Sequence, residues 1–131
     1  MNMSICPCGL GSSYDTCCGV FHHQNKKPQT AEQLMRSRYS AFVKKNIHYL
    51  IETHEPSTRA LDLKESLKST FESLEWLNLS ILSTEAGLKN DREGKVHFKA
   101  QYLSNGQVNT LEENSQFIKK KKRWYYVNSI E

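Results

Sequence analysis

Residues 95–103 read KVHFKAQYL, and Asn105-Gly106 follow almost at once. In an extended chain Val96, Phe98, Ala100 and Tyr102 fall on one face, with Lys95, His97, Lys99 and Gln101 on the other, because strand side chains alternate. Asn-Gly suits the two positive-φ positions of a tight hairpin turn. A returning antiparallel strand is therefore expected. Residues 111–117 supply it, with Leu111, Glu113, Ser115 and Phe117 on a shared face. Upstream, Leu77, Leu79 and Ile81 alternate, and Asn90, Asp91 and Gly94 mark a turn. Downstream, Trp124, Tyr126 and Ile130 follow the run KKKKR. The second half of the chain thus predicts an antiparallel sheet of about four strands.

The first half has a different period. Thr30 is an N-cap with Gln33 at the capping-box position. Leu34, Met35, Tyr39, Phe42 and Val43 then form an apolar stripe at helical spacing, and Asn46 is expected to close the helix in a left-handed cap. A short second helix turns Ile47, Leu50 and Ile51 inward and ends before Pro56. A third begins near Leu61, with Asp62 and Glu65 as a capping pair and Leu63, Leu67, Phe71 and Leu74 on its inner side. Helices followed by strands give an α+β class: three helices, then the antiparallel sheet.

The 131 residues suit one domain with a small appendage. With three prolines, six glycines and 37% hydrophobic residues, the composition is that of a globular chain. No apolar run approaches the roughly 20 residues of a membrane helix. The start, MNMSICPC, does not read as a signal peptide, so the expected compartment is the cytoplasm. The net charge of +4 permits weak contact with nucleic acid without demanding it.

All four cysteines lie in CPCGLGSSYDTCC, residues 6–18. A disulfide framework does not suit a reducing compartment, and adjacent Cys17 and Cys18 cannot bridge each other without strain. Redox catalysis usually wants C-x-x-C at a helix start, which is absent. One structural zinc ion fits best: two close thiol pairs around a glycine-containing loop supply four ligands, Cys6, Cys8, Cys17 and Cys18. The fourth position is the least constrained, and His22 or His23 is a substitute. The zinc would replace a core that so short a loop cannot build. The same thiols would also serve a redox sensor that releases zinc on oxidation. The expected organisation is a zinc-binding motif over 1–22, a polar linker over 23–29 and the α+β domain over 30–131.

The spacing C-x-C-x8-C-C resembles the SEC-C motif, with Gly9, Gly11, Tyr14 and Gly19 also in place and Leu10 and Ser12 departing from it. That resemblance implies a docking element for a protein or the ribosome. The order of helices and strands resembles the nuclear-transport-factor-2-like cone. Residues 30–59, TAEQLMRSRYSAFVKKNIHYLIETHEPSTR, with LEWLNLSIL, GKVHFKAQYL and EENSQFIKKKKRWYYVNS, resemble the YchJ-like family of uncharacterised bacterial proteins over nearly the whole chain. Many members carry a second SEC-C motif near the C-terminus, and no further cysteines follow Cys18 here.

The remaining candidates concern the cone. Arg38 and Tyr39 could face its interior and hold an anionic or hydrogen-bonding ligand. Alternatively, Arg38 pairs with Glu113 and Tyr39 fills core. Glu113 and Ser115 place polar groups on a face that should be buried. His54 and Arg59 are expected near the rim. No Asp–His pair has a spacing that singles it out, so no catalytic residue is assigned, enzymatic activity is left open, and the sequence favours a non-enzymatic role. Lys119, Lys120, Lys121, Lys122 and Arg123 could attract ribosomal RNA or an acidic protein, or simply form a solvated hairpin tip. The leading expectation is a zinc-binding adaptor docking a protein or ribosomal partner, as monomer or homodimer. The alternative is a small-molecule-binding or enzymatic cone around Arg38, Tyr39 and Glu113.

Overall fold

The computed structural model describes residues 5–130. The outer ends of the expected segments, residues 1–4 and 131, lie outside the described residues. The helices are α1 (Gly19–His23), α2 (Ala31–Lys44), α3 (Ile47–Glu52) and α4 (Leu63–Ser73). The strands are β1 (Glu75–Ala86), β2 (Glu93–Ser104), β3 (Gln107–Lys120) and β4 (Arg123–Ile130), paired antiparallel in the order β1-β2-β3-β4. None of the described helices is long and apolar enough to cross a membrane.

The α2 start is built as its sequence suggests. Thr30 Oγ1 accepts the Gln33 N–H at 3.1 Å. Gln33 Oε1 reaches back to the N–H of Gln29, one residue ahead of the cap. The other helix ends depart from expectation. Lys45, not Asn46, takes the left-handed cap at φ 59°, and Asn46 instead caps α3 by accepting the Tyr49 N–H. Helix α4 begins at Leu63 rather than Leu61, and Asp62 makes no side-chain cap bond, so the expected pair with Glu65 does not form.

The sheet keeps the alternation read from β2. Phe98 sits opposite Glu113, Ala100 opposite Leu111 and Val96 opposite Ser115. Asn105 and Gly106 both have positive φ, as the hairpin requires. Gly94 lies in β2 opposite Ala86 rather than in the preceding turn. Strand β1 is bulged near Leu77 and again near Leu82. The first bulge moves Leu77 off the face of Leu79, leaves it exposed and gives the inner position to Trp76, opposite Tyr102. A further bulge in β4, just after Tyr126, reverses the parity of the strand end, so Ile130 leaves the face of Trp124 and Tyr126. These bulges bend the sheet around the helices.

Two apolar clusters result. One lies between α2 and the sheet and includes Leu34, Met35, Tyr39, Leu79, Val96, Phe98, Phe117 and Trp124. The other joins α2, α3 and α4 through Ala41, Tyr49, Leu50 and Leu67, with Phe21 of α1 against it. Residues 53–55 extend the sheet past β4: Glu55 N–H donates to Tyr126 O and Tyr126 N–H to Thr53 O. That short pairing fixes His54 and Glu55 at the mouth of the cone.

Candidate functional site

Helix α2 is a wall with two working sides. On one side it carries the cysteine loop. Cys6 N–H donates to Ser12 O at 2.8 Å, and Ile5 bridges Ser13, so the loop closes as a tiny hairpin. Gly9 and Gly11 turn with φ near +90°, a region side-chain-bearing residues avoid. The four sulfur atoms of Cys6, Cys8, Cys17 and Cys18 lie within 4.8 Å of one another. None is in a disulfide, and Cys6, Cys8 and Cys18 are buried. A tetrahedral ion with metal–sulfur bonds of about 2.3 Å holds its thiolates about 3.8 Å apart. The Cys8–Cys17 separation of 3.6 Å is close to that, so the donor set fits a metal ion. The cluster concentrates negative charge at its centre. The neighbouring thiols, Cys18 foremost, bring the Cys8 pKa down to about 5, whereas burial pushes Cys17 up to about 12.

His22 does not join the thiols. One ring nitrogen lies 2.6 Å from the Tyr14 hydroxyl and the other donates to Ser37 O at 2.9 Å, while the ring packs against Tyr49. His23 Nε2 also meets the Tyr14 hydroxyl, at 3.2 Å. Arg36 Nη1 donates to Cys8 O at 2.7 Å, with its Nε on Glu32. Ser40 Oγ lies 3.4 Å from Cys6 Sγ, and the Lys44 ammonium sits over the Tyr14 ring. The residues expected to tether the loop are themselves engaged: His23 closes α1, Pro28 is buried, and Gln29 O accepts the Trp124 indole N–H. The loop is thus seated on α2 by side chains that its own motif does not contain.

On the other side of α2 lies a cavity of about 330 Å³ between that helix, α4 and the inner face of the sheet. Of the expected pocket residues, Arg38, Tyr39, His54, Glu113 and Ser115 line it. Arg59 does not; its Nε donates to the His54 carbonyl. The expected Arg38–Glu113 ion pair is absent. Arg38 Nη1 instead donates to Leu50 O at 2.8 Å and Thr53 Oγ1 at 2.7 Å, and the guanidinium lies 4.6 Å from the centre of the Tyr126 ring. Burial lowers its pKa to about 10, which still leaves it charged at neutral pH. His54 is held down to about 4, chiefly by burial and then by the Arg38 and Arg59 charges. Glu113 is pushed above its ordinary range by burial.

Among the described residues, three buried side-chain polar atoms have no partner in hydrogen-bonding geometry: His54 Nε2, Trp76 Nε1 and Ser115 Oγ. All three belong to residues lining this cavity, and Trp76 also borders a second one beside Phe71 and Leu103. Trp76 is the lining residue that pattern reading missed. Alternation gave its inward position to Leu77, and nothing local marks the bulge.

The basic run is partly absorbed by structure. Lys120 pairs with buried Glu55 at 2.5 Å and Arg123 with Glu52 at 2.7 Å. Lys119 donates to Lys89 O and lies over Trp124. Lys121 and Lys122 form the exposed hairpin tip.

Residues 30–129 match the family model described as "YchJ, middle NTF2-like domain". The chain belongs to the YchJ family. The YchJ-type chain is 38% identical over 125 residues to a UPF0225 protein of Vibrio parahaemolyticus, covering 95% of this chain and 74% of the relative. It is 42% identical over 123 residues to one from Haemophilus influenzae, covering 94% and 76%. The solution structure of a SEC-C motif containing protein from Rhodopseudomonas palustris superposes with a TM-score of 0.88 at 32% identity, over 97% of this chain and 98% of that one. A crystal structure of another from Psychrobacter arcticus gives 0.80 at 26% identity, over 96% and 81%. The family model thus covers the cone, and the two SEC-C motif containing structures also span the cysteine loop of this chain.

Proposed function

We propose that this chain binds a small organic molecule inside its cone, and that Cys6, Cys8, Cys17 and Cys18 hold one structural zinc ion that fixes the knuckle on α2. The single observation that supports ligand binding is a cavity lined by His54, Trp76 and Ser115, each of which has a buried polar atom without a partner. Buried polar groups normally find partners, and residues that carry such orphans around a cavity are the natural polar anchors of a ligand site. For the metal, four soft sulfur donors gathered within 4.8 Å of one another select zinc over harder cations such as magnesium or calcium. The zinc supplies folding free energy to the loop, and reduced thiols suit a cytoplasmic setting.

The test uses the two indole N–H signals of 15N-labelled, zinc-loaded protein. Trp76 lines the cavity, whereas Trp124 donates to Gln29 O. A mixture of ring-sized fragments should move the Trp76 signal and leave that of Trp124 in place. If no fragment moves Trp76 at millimolar concentration, the cone is not a ligand site. Elemental analysis should return one zinc per chain, and none for a Cys17→Ser/Cys18→Ser variant.

A second reading has its own observation. Ile5 and Leu10, on the knuckle, are 69% and 57% exposed. They would give the knuckle an apolar contact for a protein or ribosomal partner, with Lys121 and Lys122 as a separate basic contact. An Ile5→Ser/Leu10→Ser variant keeps every thiol. A partner retained by the intact protein and lost by this variant supports an adaptor role; identical eluates remove it.

A further inference from the structure

The ligand's chemical class follows from Arg38, taking the cone as a ligand site. Arg38 is 6% exposed, and among the described residues no carboxylate lies within ion-pairing distance of it. Its Nη1 is committed to Leu50 O and Thr53 Oγ1, but Nε and Nη2 make no hydrogen bond to a described residue. A carbonyl, a hydroxyl and the Tyr126 ring offer this cation only partial charges. A buried charge without a counter-ion is costly, and a guanidinium with two adjacent free N–H groups matches the two oxygens of a carboxylate.

The rest of the lining limits the charge and the body of that ligand. Arg38 is the only Lys or Arg side chain lining the cavity, and the only other charged type there is Glu113. His54 is neutral at physiological pH. A dianion such as a phosphate monoester would bring a second negative charge with no second cation to meet it. The remaining wall is mainly apolar and aromatic, with Phe42, Trp76 and Phe98 prominent. That wall suits a compact hydrophobic body, and about 330 Å³ is at the small end of ligand sites.

We propose that the cone binds a small monocarboxylate with a compact apolar body, its carboxylate on Arg38 and its body against Phe42, Trp76 and Phe98. The unpartnered Trp76 Nε1, Ser115 Oγ and His54 Nε2 add neutral hydrogen bonds that fix orientation. Glu113 restricts the site to one negative charge, since its own ionisation opposes a second.

The experiment titrates zinc-loaded full chain with carboxylic acids beside their primary amides: benzoate and benzamide, phenylacetate and its amide, hexanoate and hexanamide. The Trp76 indole signal is the readout and the Trp124 signal the control. At least one acid should bind ten-fold or more tightly than its amide, and Arg38→Gln should remove that preference. Because Arg38→Gln also deprives Leu50 O and Thr53 of a donor, its fold is checked by the dispersion of its amide spectrum. Where it does not fold, Glu113→Gln takes its place and should tighten acid binding several-fold at pH 7 while leaving the amide unchanged. If amides bind as well as acids throughout, the carboxylate inference fails and the ligand site stands. If neither acids nor amides move Trp76 while other fragments do, this inference again fails alone. If no compound of any kind moves Trp76, the ligand-site reading fails with it.

Discussion

His54 should make this protein acid-sensitive, in a pH window that can be worked out. Its folded-state pKa is about 4, against an ordinary value of 6.5, chiefly because burial disfavours the charged ring. Between those values the unfolded chain binds a proton at His54 and the folded chain does not. Stability is therefore lost as pH falls from about 6.5 towards 4. Full expression of the shift amounts to about 2 kcal/mol at pH 5. The ring is only half-buried, and solvent screening at the cone mouth reduces this to about 1 kcal/mol. The assay is urea unfolding of zinc-loaded protein at pH 7.5 and pH 5, for the natural chain and His54→Gln. The thiol site also responds to acid, but that response is common to both proteins and cancels in the difference. The natural chain should lose about 1 kcal/mol more than the variant over this interval. Glu113 supplies an opposite control. Its raised pKa means the folded state takes up a proton first, so it adds stability as pH falls, and Glu113→Gln should be the more acid-sensitive protein. If the natural chain and His54→Gln lose stability in parallel, the ring is not held neutral by burial and the reasoning is wrong.

Four other outcomes are expected. Gly94→Ala would place a Cβ 2.4 Å from the Gly87 Cα, a backbone atom that cannot yield cheaply, so urea unfolding should show a loss of about 2 kcal/mol or more. Lys121 and Lys122 hold φ of 49° and 67° at the β3–β4 turn, and Lys121→Asn/Lys122→Gly should stabilise by about 1 kcal/mol in the same assay. The Lys120 ammonium, followed by the Ser57 hydroxyl, brings Glu55 down to about 2; Lys120→Met should move its carboxyl titration, followed by 13C NMR, up towards 4.5. If the thiols hold zinc as proposed, a chelator should raise hydrogen exchange in residues 5–23 and loosen His22 from Ser37 O, while the central amides of β2 and β3 stay protected.

The periodic signals of this sequence survive because they are local. Val96, Phe98 and Ala100 occupy the face their alternation gives them, and Thr30 caps the helix it precedes. Asn105-Gly106 turns the hairpin because the residues themselves favour its backbone angles. The thiol spacing, likewise, brings four sulfurs together within one short loop. Where two such local choices competed, sequence was a poorer guide: Lys45 takes the left-handed cap expected of Asn46, because Asn46 caps the following helix instead of ending the preceding one.

Long-range partners were not legible. Nothing in residues 36–40 says that Arg36 and Ser40 face a cysteine loop some thirty positions earlier in the chain, while Arg38 and Tyr39 face a cavity. That division follows from the helical turn once α2 lies between two neighbours. The bulge that puts Trp76 inside and Leu77 outside belongs to the pairing of β1 with β2, not to either strand alone. The sequence by itself determined the order of helices and strands, the hairpin and the gathering of the four thiols, all set by residues close together in the chain. Only the tertiary structure decided that Arg38 goes without Glu113, and that three residues with unpartnered polar atoms line one cavity. Charge pairing and burial depend on which surfaces meet, and those surfaces come from segments far apart in the chain.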